Sequence, residues 1–318
     1  MNLARQEVGA ARIGDTVYVV GGLLPGTPLT ASETVEAYDI AGDSWSFVAP
    51  MPVGLDHMGV AAVGGKLYVM GGYSANFIAR NGVLIYNPDS DSWSSGSPMP
   101  EPRGACWAVA HDDRIYVFGG TNVSGARQRS TFIYDPFADS WTIGANMPTG
   151  REHLTAAVAG DFIYVIGGRT GALSFSAHER YDPTADEWTV MTPMPTARAA
   201  PAAATFAGRI YVAGGETPGL FSVNEVYDVA TDTWSTDTPM AIPRHGIAAV
   251  ALDDRILTPG GGTIAGLAPT NAVDSFIPET PPPVPAMSGL GVIALATCIV
   301  AAGLLITTKR RMAWSATT

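Results

Sequence analysis

The residues of this chain best suited to chemistry are a few histidines that stand beside acids. Two of the five histidines follow an acid directly, in Asp56-His57 and Glu152-His153, and His245 is a third candidate. Imidazole titrates near neutral pH, so histidines that converge with carboxylates can transfer protons or recognise a polar ligand. Isolated surface histidines are usually only solvated. The prediction therefore requires that these residues meet in the folded chain.

A second set of candidates is a series of arginines at a fixed spacing. Each stands sixteen residues before a Gly-Gly pair, and in one place Leu55 replaces the arginine. The members of the series are Arg5, Arg103, Arg151, Arg198 and Arg244. Several guanidinium groups around a cleft can clamp a carboxylate or a sulfate through paired hydrogen bonds. The competing interpretation is structural, because an arginine repeated in register can tie neighbouring units together.

The charge balance excludes one class of partner. The net charge is −11, and the only lysines are Lys66 and Lys309. The chain therefore encodes no basic surface on which a phosphate backbone could release its counterions. We expect no binding of nucleic acid.

Neither the cysteines nor the clustered acids predict a metal or a cofactor. Cys106 lies in a strand-like segment and Cys298 in a long apolar run, so we expect no disulfide and no cysteine metal site. Closely spaced acids such as Asp89 and Asp91 resemble part of a calcium loop, but the glycine and the distal glutamate of such a loop are absent. These acids are expected to cap tight turns with their own side chains. We therefore predict neither a metal ion nor a cofactor.

The elements that position these residues come from a repeat. A glycine pair closes a short apolar run six times, at Gly21-Gly22, Gly71-Gly72, Gly119-Gly120, Gly167-Gly168, Gly214-Gly215 and Gly260-Gly261. A tryptophan follows each of the first five pairs, at Trp45, Trp93, Trp141, Trp188 and Trp234. Seven residues before each tryptophan stands a tyrosine, at Tyr38, Tyr86, Tyr134, Tyr181 and Tyr227. A period of 46 to 50 residues, copied six times, indicates a repeat architecture.

This pattern resembles the kelch repeat, in which an apolar strand ends in Gly-Gly and a tyrosine and a tryptophan follow at fixed separation. The resemblance covers residues 1–277 and implies an all-β fold, a six-bladed β-propeller with one four-stranded blade per repeat. The residues agree, because each repeat holds four short strand-like stretches, here called strands a, b, c and d, with turn sequences between them. One such sheet buries both its faces only when blades stack around an axis. The last repeat offers a strand c at residues 272–277 but has prolines in place of an outer strand d.

Three further segments follow the predicted propeller. Residues 278–288 form a proline-rich linker that should be stiff and extended. Residues 289–308 carry no charge and match the ~20 residues of a transmembrane helix. Residues 309–318 form a short tail that begins with Lys-Arg-Arg. Basic residues beside a span tend to stay in the cytoplasm, so we expect an extracytoplasmic propeller on a single-pass anchor.

The two ends of the chain raise further expectations. The C-terminal segments resemble the sorting signals of bacterial surface proteins that exosortase-type membrane proteases process, although the Pro-Glu-Pro and Ile-Pro-Thr-Leu forms are absent. A plain anchor is the alternative. No signal peptide is present, and the start at Met1 aligns with the junction that follows a strand d. We expect a segment upstream of Met1 that supplies an export signal and the missing strand d.

Chain direction assigns the loops of a propeller to two faces. The d–a connections and the b–c loops share one face, here called the mouth, and the a–b and c–d turns lie on the opposite face. The b–c loops are longer and dissimilar, so the mouth is the expected binding face. The predicted ligand-binding residues are Arg151, Arg198, Arg244, Arg169, His57, Glu152, His153 and Glu216.

Two classes of function remain open. The first is a non-catalytic, membrane-anchored module, on the cell surface or in the periplasm, that binds a protein or a glycan and prefers anionic ligands. The second is an enzyme, because the six-bladed kelch proteins of the bacterial periplasm include sialic-acid mutarotases, and the resemblance thus allows a sugar epimerase. No nucleophile triad, phosphate loop or paired-carboxylate motif stands out. This favours the binding module.

Overall fold

Short apolar stretches between turn residues form the strands of this protein. The computed structural model describes residues 1–26 and 29–278. Five sheets have four antiparallel strands in the order a, b, c, d, and the sixth has three. From blade one to blade six the strands are Gly9–Ile13, Thr16–Val20, Val35–Asp39, Ser44–Val48; Gly59–Val63, Lys66–Met70, Val83–Asn87, Ser92–Gly96; Trp107–His111, Arg114–Phe118, Thr131–Asp135, Ser140–Gly144; Thr155–Ala159, Phe162–Ile166, His178–Asp182, Glu187–Val190; Ala202–Phe206, Arg209–Ala213, Asn224–Asp228, Thr233–Asp237; and Val250–Ala251, Ile256–Pro259, Val273–Phe276.

Three of the b–c loops contain small hairpins of their own. Their strands are Leu23–Leu24 with Thr30–Ala31, Tyr73–Ser74 with Ile78–Ala79, and Arg169–Thr170 with Leu173–Ser174. A short 3-10 helix, Ala75–Phe77, lies at the tip of the second hairpin. These hairpins build up the mouth around the axis.

Strands a line the axis and close the ring. Each strand a contacts strand a of the next blade, and strand a of blade six contacts that of blade one. Small side chains permit this approach, since a Cβ atom on Gly59 of blade two would lie 2.7 Å from Cβ of Ala108 in blade three. The predicted six-bladed, all-β propeller is confirmed.

Apolar side chains between neighbouring blades make up the core. Strand b of each blade is almost wholly buried, and tyrosines of adjacent blades contact one another, as Tyr68 and Tyr134 do with ring centroids 6.0 Å apart. Aromatic side chains bury 150–250 Å² each, so such contacts stabilise the stack strongly. A blade therefore depends on its neighbours, as the repeat pattern predicts.

The c–d turns link neighbouring blades through polar groups. Tyr134 of blade three donates a hydrogen bond to Asp139 at 2.5 Å, and the same Asp139 oxygen accepts the backbone N–H of Ser97 in blade two at 2.6 Å. Trp141 donates its indole N–H to the Ser97 carbonyl at 2.8 Å. In blades two, four and five the tyrosine, aspartate and tryptophan of the c–d turn make the same three hydrogen bonds, and the aspartate and tryptophan again contact the backbone of the preceding blade. The conserved spacing of tyrosine, aspartate and tryptophan within the chain thus encodes a contact between blades.

The glycine pairs provide a second link. Gly71 and Gly72 both have positive φ, 64° and 86°, which favours glycine over any residue with a Cβ. The Gly72 N–H donates to the carbonyl of Arg103 in the next blade at 2.8 Å. A Cβ on Gly71 would lie 2.5 Å from that same carbonyl oxygen. The pair is therefore fixed by backbone conformation and by the close approach of the next blade.

Blade six has strands a, b and c within the described residues, and its strand c, Val273–Phe276, falls inside the predicted range 272–277. Met1–Pro278 form one unit. Apart from Pro278, the predicted linker, the transmembrane helix and the basic tail lie outside the described residues. No helix among residues 1–26 and 29–278 is long and apolar enough to span a membrane.

Candidate functional site

The repeated arginines lie inside the blades. Arg198 is 0% exposed and forms an ion pair with Glu225 of strand c at 2.8 Å. It also donates to the backbone carbonyl of Val212 in strand b at 2.9 Å. Equivalent ion pairs join Arg5 to Glu36, Arg151 to Glu179 and Arg244 to Asp274, at 2.9, 2.6 and 3.0 Å. These guanidinium groups hold strands b and c of their own blade together.

Two blades depart from this pairing, and both departures support a structural role. In blade two Leu55 replaces the arginine and Leu84 replaces the acid, and the two leucines line one cavity. In blade three Phe132 replaces the acid, and the guanidinium carbon of Arg103 lies 4.7 Å from the centre of the Phe132 ring. In blade two both residues of the pair are replaced together, and in blade three the retained arginine packs on the ring that replaces the acid.

A closed ring of backbone hydrogen bonds surrounds the axis at the mouth. Its members stand two residues after each arginine or after Leu55: they are Glu7, His57, Ala105, His153, Ala200 and Gly246. Each donates its N–H to the carbonyl of the member in the preceding blade, at 2.7 to 3.2 Å. All six have positive φ, between 49° and 57°. This ring brings the side chains of Glu7, His57 and His153 together at the floor of the mouth.

The floor of the mouth is a cluster of imidazoles and carboxylates. His57 Nε2 lies 3.4 Å from Glu7, and His57 Nδ1 lies 2.5 Å from Asp56. The ring centroids of His57 and His153 are 4.8 Å apart. Glu7 also lies 3.3 Å from Nδ1 of His245. One carboxylate therefore stands between histidines of two different blades.

The wall of the mouth is a network of ion pairs. Arg169 pairs with Glu216 at 2.7 Å and, less closely, with Glu152 at 3.7 Å. Its Nη2 atom lies 3.1 Å from Nε2 of His153. Arg127 pairs with Glu152 at 3.0 Å. Positive and negative groups in the wall thus balance, so the mouth lacks the strong positive potential of a ring of free arginines.

Burial and neighbouring charges shift the titration of the floor. Burial disfavours the charge of Glu7, but His57 and His245 outweigh it and hold the pKa of Glu7 below its ordinary value. Burial also opposes a proton on His57, yet the carboxylates of Glu7 and Asp56 raise the pKa of His57. Burial and the positive charge of His57 lower the pKa of His153 well below its ordinary value. Burial and neighbouring charges thus favour a proton on His57, beside the Glu7 carboxylate, over a proton on His153.

A cavity of about 460 Å³ lies above this floor. Its polar lining includes Arg169, Glu216 and His245, and its apolar lining includes Phe77 and Leu267. The two apolar side chains are 53% and 46% exposed. A pocket with a polar floor and an apolar rim can orient a polar group by hydrogen bonds and cover the rest of a ligand.

The structure divides the predicted ligand-binding residues into two sets. Five of them lie together at the mouth, as expected from chain direction: His57, Glu152, His153, Arg169 and Glu216. Arg151, Arg198 and Arg244 are 0% exposed and offer no surface to a ligand. The role of the first set stays a prediction.

Sequence reasoning missed Glu7. Glu7 occupies in the first repeat the place that His57 and His153 occupy in the second and fourth. Alignment of the repeats could therefore have identified it, although its contact with His57 depends on the closure of the ring.

Comparison with known proteins agrees with this architecture. A family model of the KLHDC2/KLHL20/DRC7 Kelch-repeats domain matches residues 7–215 and 57–262. The chain belongs to the kelch-repeat family, whose domains generally bind proteins.

Individual relatives match the chain over shorter segments. One segment is 42% identical over 73 residues to Kelch-like protein terF of Aspergillus terreus, and another is 36% identical over 80 residues to Kelch-like protein 25 of Rattus norvegicus. These segments cover 22% and 23% of this chain, and only 16% and 14% of the relatives. The solved structure titled "Structure of YjhT" matches with a TM-score of 0.75 at 20% identity, over 87% of this chain and 98% of that one. At this identity the likeness shows the fold alone.

Proposed function

We propose that this protein is a non-catalytic binding module that recognises a protein or a glycan at the mouth of its propeller. The observation that carries the proposal is the cavity of about 460 Å³ on which the d–a and b–c loops converge. It combines fixed polar groups with exposed apolar side chains, which is the usual composition of a recognition site. Membership of a family of binding domains supports the same conclusion.

The chemistry of the mouth indicates what kind of group enters it. Arg169 and Arg127 can attract an anion, but Glu216 and Glu152 already pair with them. A bound carboxylate or sulfate would have to compete with these acids, so the preference for anionic ligands should be modest. Hydroxyl and amide groups can instead accept from Arg169 and donate to Glu216. A glycan or a polar peptide segment therefore suits the mouth.

The second candidate is a sugar epimerase of the mutarotase type. The observation that favours it is the 2.7 Å pair of Arg169 and Glu216 in the wall. A guanidinium group can hold the carboxylate of an acidic sugar, and a carboxylate beside it can accept the proton of an anomeric hydroxyl. In this reaction Glu216 would take the proton of the anomeric hydroxyl while the bond from the anomeric carbon to the ring oxygen breaks and the ring oxygen takes a proton from water. Closure of the ring on the other face of the carbonyl would reverse these transfers.

One screen tests whether the ligand binds at the mouth. The full chain, purified in detergent, is applied to glycan and peptide arrays, and the affinity of each ligand found is measured for Arg169→Gln and Glu216→Gln. Asp161→Asn, in the a–b turn of blade four on the opposite face, is the matched control. We expect about tenfold weaker binding for the two mouth variants and no change for the control. Equal losses in all three variants would refute a site at the mouth.

Turnover is the readout for the second candidate. Proton NMR of a sialic acid follows the exchange between its anomers in the presence of the protein. Exchange that the protein accelerates and that Glu216→Gln abolishes would establish the epimerase and overturn the non-catalytic module. We expect exchange at the uncatalysed rate.

The location of the propeller is a further part of the proposal. We propose that residues 289–308 anchor the protein in the cytoplasmic membrane and that the propeller lies outside the cytoplasm, with the tail 309–318 inside. The support is the uncharged sequence of twenty residues followed by Lys-Arg-Arg. Cleavage of this anchor by a sorting protease is the variant of the proposal that the C-terminal resemblance supports.

Protease accessibility tests this location. Protease added to intact spheroplasts should cut within residues 278–288 and release the propeller as a soluble fragment. Full protection of the chain until the membrane is permeabilised would contradict an extracytoplasmic propeller. A mature protein that ends near the start of the apolar segment would indicate processing by a sorting protease.

A further inference from the structure

Three donor side chains converge on the floor of the mouth. Glu7, His57 and His153 each offer one ligand-type atom, and these atoms lie within 4.8 Å of one another. All three side chains are buried, with at most 8% exposed. The Nδ1 atom of His153 has no hydrogen-bond partner. We propose that Glu7, His57 and His153 bind a divalent transition-metal ion of the zinc type.

The distances on the floor suit such an ion. His57 Nε2 and Glu7 Oε2 are 3.4 Å apart, which is longer than the 2.7–2.9 Å of a charge-assisted hydrogen bond. Two ligands held about 2.0–2.2 Å from a tetrahedral zinc ion lie roughly 3.3–3.5 Å apart. His57 and Glu7 therefore already have the separation that zinc imposes. The ligand atom of His153 lies within 4.8 Å of the other two and would have to move closer to them to complete the set.

Asp56 orients one of the ligands. Its carboxylate lies 2.5 Å from Nδ1 of His57 and is itself buried. An ion bound at Nε2 displaces the proton that this nitrogen holds beside Glu7. An N–H at Nδ1 that donates to Asp56 then leaves the lone pair of Nε2 directed at the ion. A carboxylate behind a ligating histidine is the usual support of a metal site. Asp56 is thus a positioning residue.

Arg169 opposes the ion. Its Nη2 atom lies 3.1 Å from Nε2 of His153, so its positive charge stands beside the site and repels a cation bound to Nδ1 of the same ring. Arg169 also forms an ion pair with Glu216 at 2.7 Å, and this pair can remain when the contact between Arg169 and His153 is lost. Removal of the Arg169 charge should consequently strengthen metal binding. This expectation distinguishes the metal site from a set of purely structural contacts.

The donor set also selects the class of ion. Two imidazoles and a carboxylate suit zinc and its neighbours, whereas calcium and magnesium prefer oxygen ligands only. Three protein ligands leave a tetrahedral position open. Glu7, His57 and His153 line the cavity above the floor, so an oxygen atom of a ligand in that cavity could occupy the open position. The inference goes beyond the proposed binding function and does not depend on it.

Equilibrium dialysis tests the metal site without any organic ligand. The full chain in detergent is treated with a chelator and dialysed against Zn²⁺, and the bound metal is measured. We expect one equivalent, with about 100-fold weaker binding for His153→Ala and Glu7→Gln. Asp56→Asn should weaken binding by about 10–100-fold. Arg169→Gln should tighten it, and His111→Ala, in blade three on the opposite face, should leave it unchanged.

A measurement on the unaltered chain covers variants that fail to fold. Cu²⁺ is added in place of Zn²⁺, and pulsed EPR counts the imidazoles bound to it. Two coordinated imidazoles support the site. Absence of stoichiometric binding, coordination by one imidazole or none, or unchanged affinity in Arg169→Gln would each overturn the proposal. Array binding that persists in metal-free protein would leave the proposed function intact.

Discussion

Arg198 and Glu225 stabilise blade five through a buried ion pair. Replacement of Arg198 by Met leaves the Glu225 carboxylate buried without its partner. We expect a loss of about 3–5 kcal/mol in the free energy of unfolding, because the uncompensated charge is costly. Urea denaturation of the full chain in detergent measures it.

Blade two supplies the matched control for this prediction. It has Leu55 and Leu84 in place of the arginine and the acid. The double variant Arg198→Leu with Glu225→Leu copies that arrangement into blade five and should recover most of the lost stability. A single variant that unfolds like the wild type but loses ligand affinity would instead support the earlier expectation of a ligand-binding arginine.

His178 makes the stability of the protein depend on pH. It is 1% exposed, and burial lowers its pKa to about 4. Above pH 6.5 the folded and unfolded chains both hold it neutral. As the pH falls from 6.5 towards 4, only the unfolded chain takes up the proton, so stability falls, by up to about 3 kcal/mol from this group.

His178→Asn isolates this contribution. The equivalent residue of blade five is Asn224, whose amide donates to the carbonyl of Thr238 as His178 Nδ1 does to that of Thr192. The variant should unfold with a flatter dependence on pH between 7 and 4 than the wild type. Parallel curves would show that burial does not keep His178 neutral.

The role of the arginines could have been read from the sequence. An acid stands at the second position of strand c in the four repeats that contain Arg5, Arg151, Arg198 and Arg244. In the repeat that contains Leu55, this position is Leu84. Joint loss of the arginine and the acid within one repeat indicates a contact inside the blade. The contact of His57 with Glu7 and His153 could not be derived in this way, because it joins different repeats across the axis and depends on the positive φ of the ring residues.

At the scale of elements, the c–d turn is a connection between blades. Asp139 accepts hydrogen bonds from Tyr134 and from the backbone of Ser97 in the preceding blade. Asp139→Gly keeps the positive φ of 47° but removes the acceptor, and it should lower the melting temperature by roughly 2–4 °C. Asp139→Asn tolerates the same φ and keeps an acceptor oxygen, so it should cost less. Equal melting temperatures for the Gly and Asn variants would show that the link contributes nothing.

The sequence predicted the strands better than it predicted the loops. Strands a to d follow from apolar runs between turn residues. The hairpins within the b–c loops did not stand out, because each strand, such as Tyr73–Ser74, has only two residues. These hairpins gain their partners from the d–a connections, as Asp56 pairs with Tyr73. Such pairing is tertiary, so local sequence carries little signal for it.

At the scale of the whole molecule, the ring closes between its first and last blades. Gly261 donates its backbone N–H to Arg5, Glu7 donates to Gly246, and Arg12 pairs with Asp253 at 2.7 Å. Closure brings the residues of blade one to those of blade six and so assembles the floor of the mouth. The mouth therefore depends on the complete ring.

Hydrogen exchange with and without ligand tests most directly whether the mouth is the binding face. The full chain is compared alone and saturated with a ligand found on the arrays. We predict slower exchange in the b–c loops at residues 73–82, 169–178 and 216–224, and unchanged exchange in the c–d turns such as residues 88–91. Protection confined to the c–d turns would place the ligand on the opposite face and contradict the account.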